Sequence, residues 1–259
     1  HHDRAMEKPS EASVEAPFTG QVVRVGGKRF RFERDADTYR VSVTEPHDGG
    51  QAMTTAYPVA WTFGAEPLQQ YLLDVGRGRL QALTVAWDAR PTSDGGQRFY
   101  SLYPNEDFPE TDPLHWRGPM QNWNYVCADC HSTAYEKSFD LDTKTFSPKW
   151  AEPDVGCEAC HGPGSTHVSL AKAKRRDDAR WPGFEVDLRN RQVWRMNAST
   201  GIAMPQTAVD DTEVETCAPC HARRHRVAEG FMPGKPVFDF YRPELLSAAL
   251  YHPDGQIDG

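Results

Sequence analysis

The sequence predicts an α+β protein, with an antiparallel β-rich N-terminal domain followed by a loop-rich domain of short helices. Two observations carry this prediction. Between Phe18 and Tyr103, apolar residues alternate with polar ones in several short runs, a period of two that is typical of half-buried strands. After Asp112 the alternation stops, and no long amphipathic helix can be traced. We therefore divide the chain into an N-terminal arm (1–17), a β-rich domain (18–109) and a C-terminal domain (110–259).

Turn residues between the alternating runs predict the hairpins of the β-rich domain. Gly26-Gly27 lies between two such runs and favours a tight hairpin, and Gly-Arg-Gly at 76–78 separates a second pair of runs. A further run stops at Pro46, since proline cannot donate a ladder hydrogen bond. Together these signals predict five or six strands, within residues 23–32, 39–43, 68–75, 80–87 and 98–103.

Composition and charge exclude several classes of partner. The formal net charge is −8 and the pI is near 5.7, which argues against nucleic acid or an anionic membrane and favours protein partners with a basic docking patch. The sequence has no run of eighteen apolar residues, so we expect no transmembrane segment. Apolar residues make up only 38% of the chain, which suggests that something other than side chains fills part of the core.

The cysteines identify what that filler is. All six lie in three pairs, each followed at once by histidine: Cys127-Ala128-Asp129-Cys130-His131, Cys157-Glu158-Ala159-Cys160-His161 and Cys217-Ala218-Pro219-Cys220-His221. The form C-x-x-C-H is the attachment signature of c-type haem. Sulfurs three residues apart lie on one side of a turn and can form thioethers, and the next residue brings its imidazole to the iron. We predict three covalently attached haem c groups, with His131, His161 and His221 as proximal ligands.

Three other interpretations of a C-x-x-C pair fit less well. A zinc ribbon leaves the adjacent histidine unexplained three times. A redox dithiol occurs once per active site, near a βαβ pattern that this chain lacks. Disulfides do not need such uniform short spacing. Since haem is attached covalently outside the bacterial cytoplasmic membrane, we expect a periplasmic or cell-surface location.

The sixth iron ligand decides whether a haem carries electrons or binds a substrate. Seven histidines lie outside the three motifs, and three of them have a favourable context. His167 follows the second motif across a Gly-Pro-Gly turn that can carry its imidazole to a neighbouring haem, and His115 and His252 each adjoin an aromatic residue. Methionine is the alternative sixth ligand, and the candidates are Met120, Met204 and Met232.

The remaining histidines have weaker contexts. We interpret His47, in a turn, and His225, in a basic run, as surface residues. If a helix continued past His221, His225 would face the same way and could not reach the far side of the same haem. Short helices are expected after the attachment sites, at 132–137 and 168–176, and the charged segment 175–195 is either a cover over a haem edge or a solvated loop.

Several phrases resemble a known family, the bacterial multihaem cytochromes related to the tetrahaem electron carrier of ammonia oxidisers. That superfamily includes pentahaem nitrite reductase and octahaem hydroxylamine oxidoreductase. The resemblance is closest to the large periplasmic multihaem cytochromes that continue into tetratricopeptide repeats. It rests on the second motif with its Gly-Pro-Gly-Ser-Thr-His continuation and on these segments: 1–6, 62–64, 67–71, 79–83, 112–116 and 251–257.

The resemblance implies distal imidazoles from His2 or His1, and from His115, His167 and His252. Members of the family carry a further C-x-x-C-H before the His-His-Asp phrase and another after the Asp-Gly-Gln-Ile phrase. We therefore expect an incomplete chain, with further haem from missing segments or from neighbouring chains.

Three functions follow as hypotheses. The first is electron transfer through mostly bis-histidine haems to redox partner proteins. The second is a haem enzyme acting on a small nitrogen or sulfur compound, with Arg117, Tyr125, Arg223 and Arg224 as candidate polar groups. The third is a haem subunit of a larger homo- or hetero-oligomeric assembly or filament, with the β-rich domain as its docking surface. Pentahaem nitrite reductase chemistry is not favoured, because its C-x-x-C-K attachment site is absent here.

Overall fold

A computed structural model describes residues 4–46, 51–174, 183–189, 192–207, 209–246 and 251–252. The chain forms two compact units, His1–Val155 and Gly156–Gly259, so the first haem motif belongs to the β-rich unit and the other two motifs belong to the second unit. The division at residues 17 and 109 stays a prediction.

The first unit is built on nine strands. They are β1 (Met6–Glu7), β2 (Thr19–Val25), β3 (Lys28–Asp35), β4 (Thr38–Pro46), β5 (Ala52–Phe63), β6 (Leu68–Asp74), β7 (Leu80–Ala82), β8 (Val85–Asp88) and β9 (Arg98–Ser101). They form one sheet in the order β2-β3-β4-β5-β6-β8-β9, with β1 added to β5 and β7 to β6. All of these pairings are antiparallel. The α+β class with a β-rich N-terminal region is confirmed.

Both predicted hairpins are present, but the sheet has more strands than expected. β2 and β3 pair across Gly26-Gly27, and β6 and β7 pair across Gly76-Arg77-Gly78. The sequence pattern missed β1 and β5. β1 is too short to show a period, and β5 contains Pro58 and an irregularity between Val59 and Trp61 that breaks the alternation.

The main core lies on one face of this sheet. In β4 the side chains alternate strictly between buried and more exposed positions, with Tyr39, Val41 and Val43 pointing inward. Phe32 is fully buried and stacks on Phe99, with ring centroids 3.9 Å apart. Because Phe32 and Phe99 lie on β3 and β9, the sheet curls around this core.

A second, smaller core covers the opposite face of β6 and β7. Leu72 lies between Tyr71 and Leu73 in β6, so it points away from the main core. It packs in a cluster that also contains Met6, Leu80, Ala82, Trp123, Ala128 and Tyr135. The first haem motif is therefore packed against the outside of the sheet.

The remaining elements of the first unit are short: α1 (Trp123–Val126), α2 (Ala128–His131), β10 (Phe139–Asp140) and β11 (Thr145–Phe146). The second unit contains α3 (Glu158–His161), α4 (Ser165–Lys172), β12 (Trp194–Met196), β13 (Ala203–Pro205), α5 (Thr212–His221), β14 (Arg224–Arg226) and β15 (Tyr241–Pro243). β10 pairs with β11, β12 with β13, and β14 with β15. Single 3-10 turns occur at Thr92–Asp94, Pro119–Gln121 and Val237–Asp239.

One of the two predicted helices is wrong. Residues 132–137 are not helical: Thr133 and Glu136 form isolated bridges with Glu152 and Lys149, and Ala134 has φ +52°. The helix expected at 168–176 is present as α4, but it begins three residues earlier, at Ser165, and ends at Lys172. In the described part of the chain, no helix is both long and apolar enough to cross a membrane.

Candidate haem-binding sites

Each C-x-x-C-H motif forms a helical turn. The backbone N–H of His131 donates to the carbonyl of Cys127 over 3.2 Å, and that of His161 donates to the carbonyl of Cys157 over 2.9 Å. The third motif makes up the last residues of α5. An i to i+4 bond holds the first cysteine and the histidine on one side of the turn, with the second cysteine between them. This is the geometry that two thioethers and a proximal imidazole require.

Three of the cysteine thiols have raised pKa values, the opposite of what a redox dithiol requires. Burial raises the pKa of Cys127 to about 12, and the neighbouring Cys130 adds to the shift. Burial also raises the pKa of Cys160 and of Cys217. Catalytic cysteines of C-x-x-C oxidoreductases have lowered pKa values instead, since their thiolate is the reactive form. These thiols are thus unlike those of a disulfide exchange centre.

Buried amide side chains hold the first motif on the sheet. Asn124, which is 1% exposed, accepts a hydrogen bond from the backbone N–H of Leu80 and donates one to the carbonyl of Gly78, over 2.8 and 3.2 Å. Gln81 donates to the carbonyl of Gly118 over 2.6 Å. Tyr135 closes the group by donating to the carbonyl of Asn124 over 2.8 Å. These bonds join the segment before Cys127 to the β6–β7 hairpin.

The proximal histidine of the first motif meets the sheet directly. The ring of Phe63, the last residue of β5, contacts the imidazole of His131 edge to face, with centroids 4.9 Å apart. Met6 of β1 pairs with Phe63 in the sheet. The end of β5 that pairs with β1 is therefore also the end that packs on His131.

The second motif shows the proximal-ligand arrangement most clearly. The Nδ1 atom of His161 lies 3.1 Å from the carbonyl oxygen of Val186. A carbonyl can only accept, so Nδ1 carries the proton and donates it, which leaves the Nε2 lone pair for a metal. Metal-binding histidines in proteins are commonly oriented in this way by a backbone carbonyl.

His167 lies close to the second motif but on a separate helix. Gly162 ends α3 with φ +71°, and Gly164, two residues later, precedes α4, in whose first turn His167 lies. Glu158 accepts a hydrogen bond from the N–H of Gly164 over 2.7 Å, which fixes the turn. The imidazole of His167 is half-buried and stacks on Phe184, with centroids 4.2 Å apart and planes at 19°.

The third motif belongs to the same unit as the second motif. Burial is the largest cause that raises the pKa of Cys217, and the Cys160 thiol and the Glu213 carboxylate add to the shift. Two residues after His221, the N–H of Arg223 donates to the hydroxyl of Tyr251 over 3.0 Å. This bond holds the chain at His252, which is exposed, near the end of the third motif.

His115 has a different environment from the other candidate ligands. It is 2% exposed, and its Nδ1 accepts a hydrogen bond from the N–H of Arg117 over 3.2 Å. Its Nε2 lies 3.7 Å from Oε2 of Glu45, which accepts a hydrogen bond from Trp116, while Arg117 donates to Oε1 of the same carboxylate. Burial alone would raise the pKa of Glu45, but these hydrogen bonds and the charge of Arg117 hold it below its usual range.

The other candidate ligands are distributed as follows. His1, His2 and His47 lie outside the described residues. His225 is exposed, as predicted, and lies 2.7 Å from Glu244, but α5 ends at His221 and His225 is in β14, so the two histidines do not share a helix face. The side chains of all three candidate methionines are exposed: Met120, Met204 and Met232.

The candidate polar groups of the enzyme hypothesis have other contacts. Arg117 pairs with Glu45, and Tyr125 is 60% exposed beneath the ammonium of Lys137. Arg224 donates to the carbonyl of Pro219 over 2.8 Å and lies over the ring of Tyr241. Arg117 and Tyr125 belong to the first unit, whereas Arg223 and Arg224 belong to the second.

Sequence analysis did not identify two groups that the structure places at the motifs. The first is the carbonyl of Val186, which has no sequence signal because every residue carries the same backbone oxygen. The second is the ring of Phe63, whose role depends on where β5 ends. Phe184 was predicted only as part of the charged segment 175–195, either a cover over a haem edge or a solvated loop, and its contact with His161 and His167 comes from the tertiary structure.

A comparison with protein families gives one match. Residues 112–162 match the family model described as cytochrome c554 and c-prime. The match supports a c-type cytochrome. It spans less than half of the chain and includes the first two C-x-x-C-H motifs, together with His115. No curated protein and no solved structure gives a significant match.

The match supports covalently bound haem c and electron transfer, and the residues present fit that cofactor. Each motif offers two cysteine sulfurs and an imidazole on one turn, and His161 has its Nε2 available to a metal. Over the described residues, no three His, Cys, Asp or Glu side chains gather as a metal site made of protein ligands alone would need.

Proposed function

We propose that this chain is a multihaem c-type cytochrome of the bacterial periplasm or cell surface that carries electrons through three covalently bound haems. Haem c supplies a one-electron Fe(III)/Fe(II) couple when bound. The cysteines of the three motifs hold it, and His131, His161 and His221 are its proximal ligands. The distal imidazoles are drawn from His167, His115, His252 and His2 or His1, so most of the irons are bis-histidine ligated and have low potentials.

The hydrogen bond from His161 to Val186 is the observation that carries this proposal. It orients the imidazole, fixes its tautomer and makes Nε2 a stronger donor to iron. If His161 had only a structural role, there would be no need for a hydrogen bond at Nδ1 that leaves Nε2 unprotonated and fixes its direction.

The net charge of the protein indicates which kind of partner it binds. With a net charge of −8, to which haem propionates would add, the partners are redox proteins with basic docking surfaces. Assembly with further copies or other haem-bearing chains is compatible with this role.

The haem content tests the proposal. Holoprotein from a host with the c-type haem attachment machinery should give a pyridine-haemochrome spectrum equal to three haems per chain, and the haem should stay with the denatured chain. Haem that extracts into acidified acetone, or fewer than three equivalents, would contradict the proposal. Paramagnetic resonance of the oxidised protein should be mainly low-spin, and dominant high-spin signals would favour an enzyme.

A further inference from the structure

A short segment contacts two histidines, His161 at the end of the second motif and His167 in α4. We call residues 183–186 the strap. At His161 the strap makes three hydrogen bonds: the N–H groups of Glu185 and Val186 both donate to the carbonyl of His161 over 3.2 Å, and the carbonyl of Val186 accepts from the imidazole over 3.1 Å. The strap is therefore hydrogen-bonded to both the backbone and the side chain of His161.

The same strap contacts His167 at the other end. Gly183 has φ +88°, and a Cβ at this position would lie 2.8 Å from the backbone nitrogen of His167 and 3.0 Å from its Cα. Only glycine permits both this φ and this close approach. The backbone of the strap is thus packed directly on the first turn of α4.

Phe184 joins the two contacts. Its ring stacks on the imidazole of His167, with centroids 4.2 Å apart and planes at 19°, and it lies 5.0 Å from the imidazole of His161 with planes at 37°. One aromatic ring therefore limits the rotation of two imidazoles. Neither histidine can turn about its Cβ–Cγ bond without moving Phe184 or losing the stack.

A purely structural interpretation of Phe184 explains less. A phenylalanine that only filled apolar space would be expected among aliphatic or aromatic side chains, but Phe184 is half-buried and its ring packs against two imidazoles. The hydrogen bonds of Glu185 and Val186 fix the backbone that follows Phe184, and Gly183 packs on the backbone of His167 on the other side.

We propose that the strap is a positioning element and that Phe184 is a positioning residue which sets the imidazole planes of His161 and His167 and so couples the ligand fields of two haems. This inference rests on the proposed function, with His161 on the haem of Cys157 and Cys160 and His167 on a neighbouring haem. The orientation of an axial imidazole plane determines how the iron d orbitals split, which paramagnetic resonance reads directly as the largest g value. The bond to Val186 strengthens His161 as a donor and lowers the potential of its haem.

Phe184→Leu tests the proposal with a matched control. Leucine keeps an apolar side chain but removes the planar surface, so at least one low-spin g-maximum should shift and at least one of the three midpoint potentials should move. Phe231 is another half-buried phenylalanine of the second unit, and its ring contacts are Phe240 and Tyr241. Phe231→Leu makes the same chemical change away from any imidazole and should leave the g values and potentials unchanged. Phe184→Tyr keeps the ring and should restore the wild-type spectrum.

The outcomes separate this inference from the proposed function. A Phe184→Leu spectrum that superimposes on the wild type, at three haems per chain, overturns the inference and leaves the proposed function intact. A wild-type haem count below three overturns the proposed function itself. If Phe184→Leu does not accumulate with haem, Gly183→Ala gives the second test. It keeps the phenylalanine side chain at position 184 but forces the backbone of the strap away from His167. The same g-maximum should then shift, and an unchanged spectrum would count against the strap.

Discussion

The ring of Phe63 meets the imidazole of His131 edge to face, with 4.9 Å between the centroids and 80° between the planes. This contact joins the last residue of a long central strand to the histidine of the first motif. The sheet of the β-rich unit therefore forms one wall beside this imidazole. The same strand end pairs with β1.

Replacing Phe63 should affect the first haem selectively. Phe63→Leu keeps the apolar contact but removes the edge-to-face pair, which should shift one of the three midpoint potentials and lower the free energy of unfolding by about 1 kcal/mol. Potentiometric titration and urea unfolding measure the two effects. Phe139→Leu removes an aromatic pair with Phe146 elsewhere in the same unit and should leave the potentials unchanged. Equal potentials in both variants would show that Phe63 does not influence the haem.

Removing one cysteine pair should remove one haem. Cys157→Ala with Cys160→Ala leaves His161 without the thioethers that hold its haem, so the pyridine-haemochrome spectrum should fall from three equivalents to two. The pair Cys217→Ala and Cys220→Ala should give the same stoichiometry, because the three motifs are chemically equivalent. A variant that keeps three equivalents would mean that the motif is not an attachment site.

His167→Ala should change a ligand without changing haem content. The turn through Gly162 and Gly164 carries His167 onto a separate helix, away from the haem that His161 binds. We therefore expect one iron of a neighbouring haem to become high-spin or to take another ligand, while all three haems stay attached. Electron paramagnetic resonance with a parallel haem assay measures both.

His225→Ala is the matched control for that experiment. His225 is exposed, belongs to the same unit and pairs with Glu244, so its removal should leave all irons low-spin. A His167→Ala protein whose spectrum equals that of His225→Ala would refute the assignment of His167 as a ligand.

Asp88 should give the β-rich unit a pH-dependent part of its stability. A hydrogen bond from the Arg90 guanidinium is the largest cause that lowers the pKa of Asp88 to about 2 in the folded protein. An aspartate in an unfolded chain has a pKa near about 3.9, so the folded state favours the charged form. This stabilisation is complete above about pH 4 and is lost as the pH falls towards about 2.

Asp88→Asn checks this directly. The free energy of unfolding in urea should be lower than that of the wild type near neutral pH, and the difference should narrow as the pH is lowered through about 4. Arg90→Gln removes the donor and should abolish the same pH-dependent increment. A difference between wild type and Asp88→Asn that stays constant down to about pH 3 would contradict the role of Asp88.

Much of the local structure was predictable because it depends on neighbours in the chain. The hairpins at Gly26-Gly27 and at 76–78 follow from turn residues between alternating runs, and both are present. Each C-x-x-C-H motif folds as one helical turn, which its spacing requires. The non-helical segment at 132–137 was not predictable, because its backbone bonds go to Lys149 and Glu152, partners that local sequence does not identify.

The sequence by itself determined the cysteine and histidine chemistry of this protein, because residue type and a spacing of three or four residues suffice to define a turn with two sulfurs and an imidazole. The tertiary structure alone decided what surrounds each imidazole. Val186 and Phe184 reach His161 from 25 and 23 residues away, and Phe63 reaches His131 from 68. Contacts over such separations depend on how strands and loops pack, and a backbone carbonyl such as that of Val186 has no signature in the sequence.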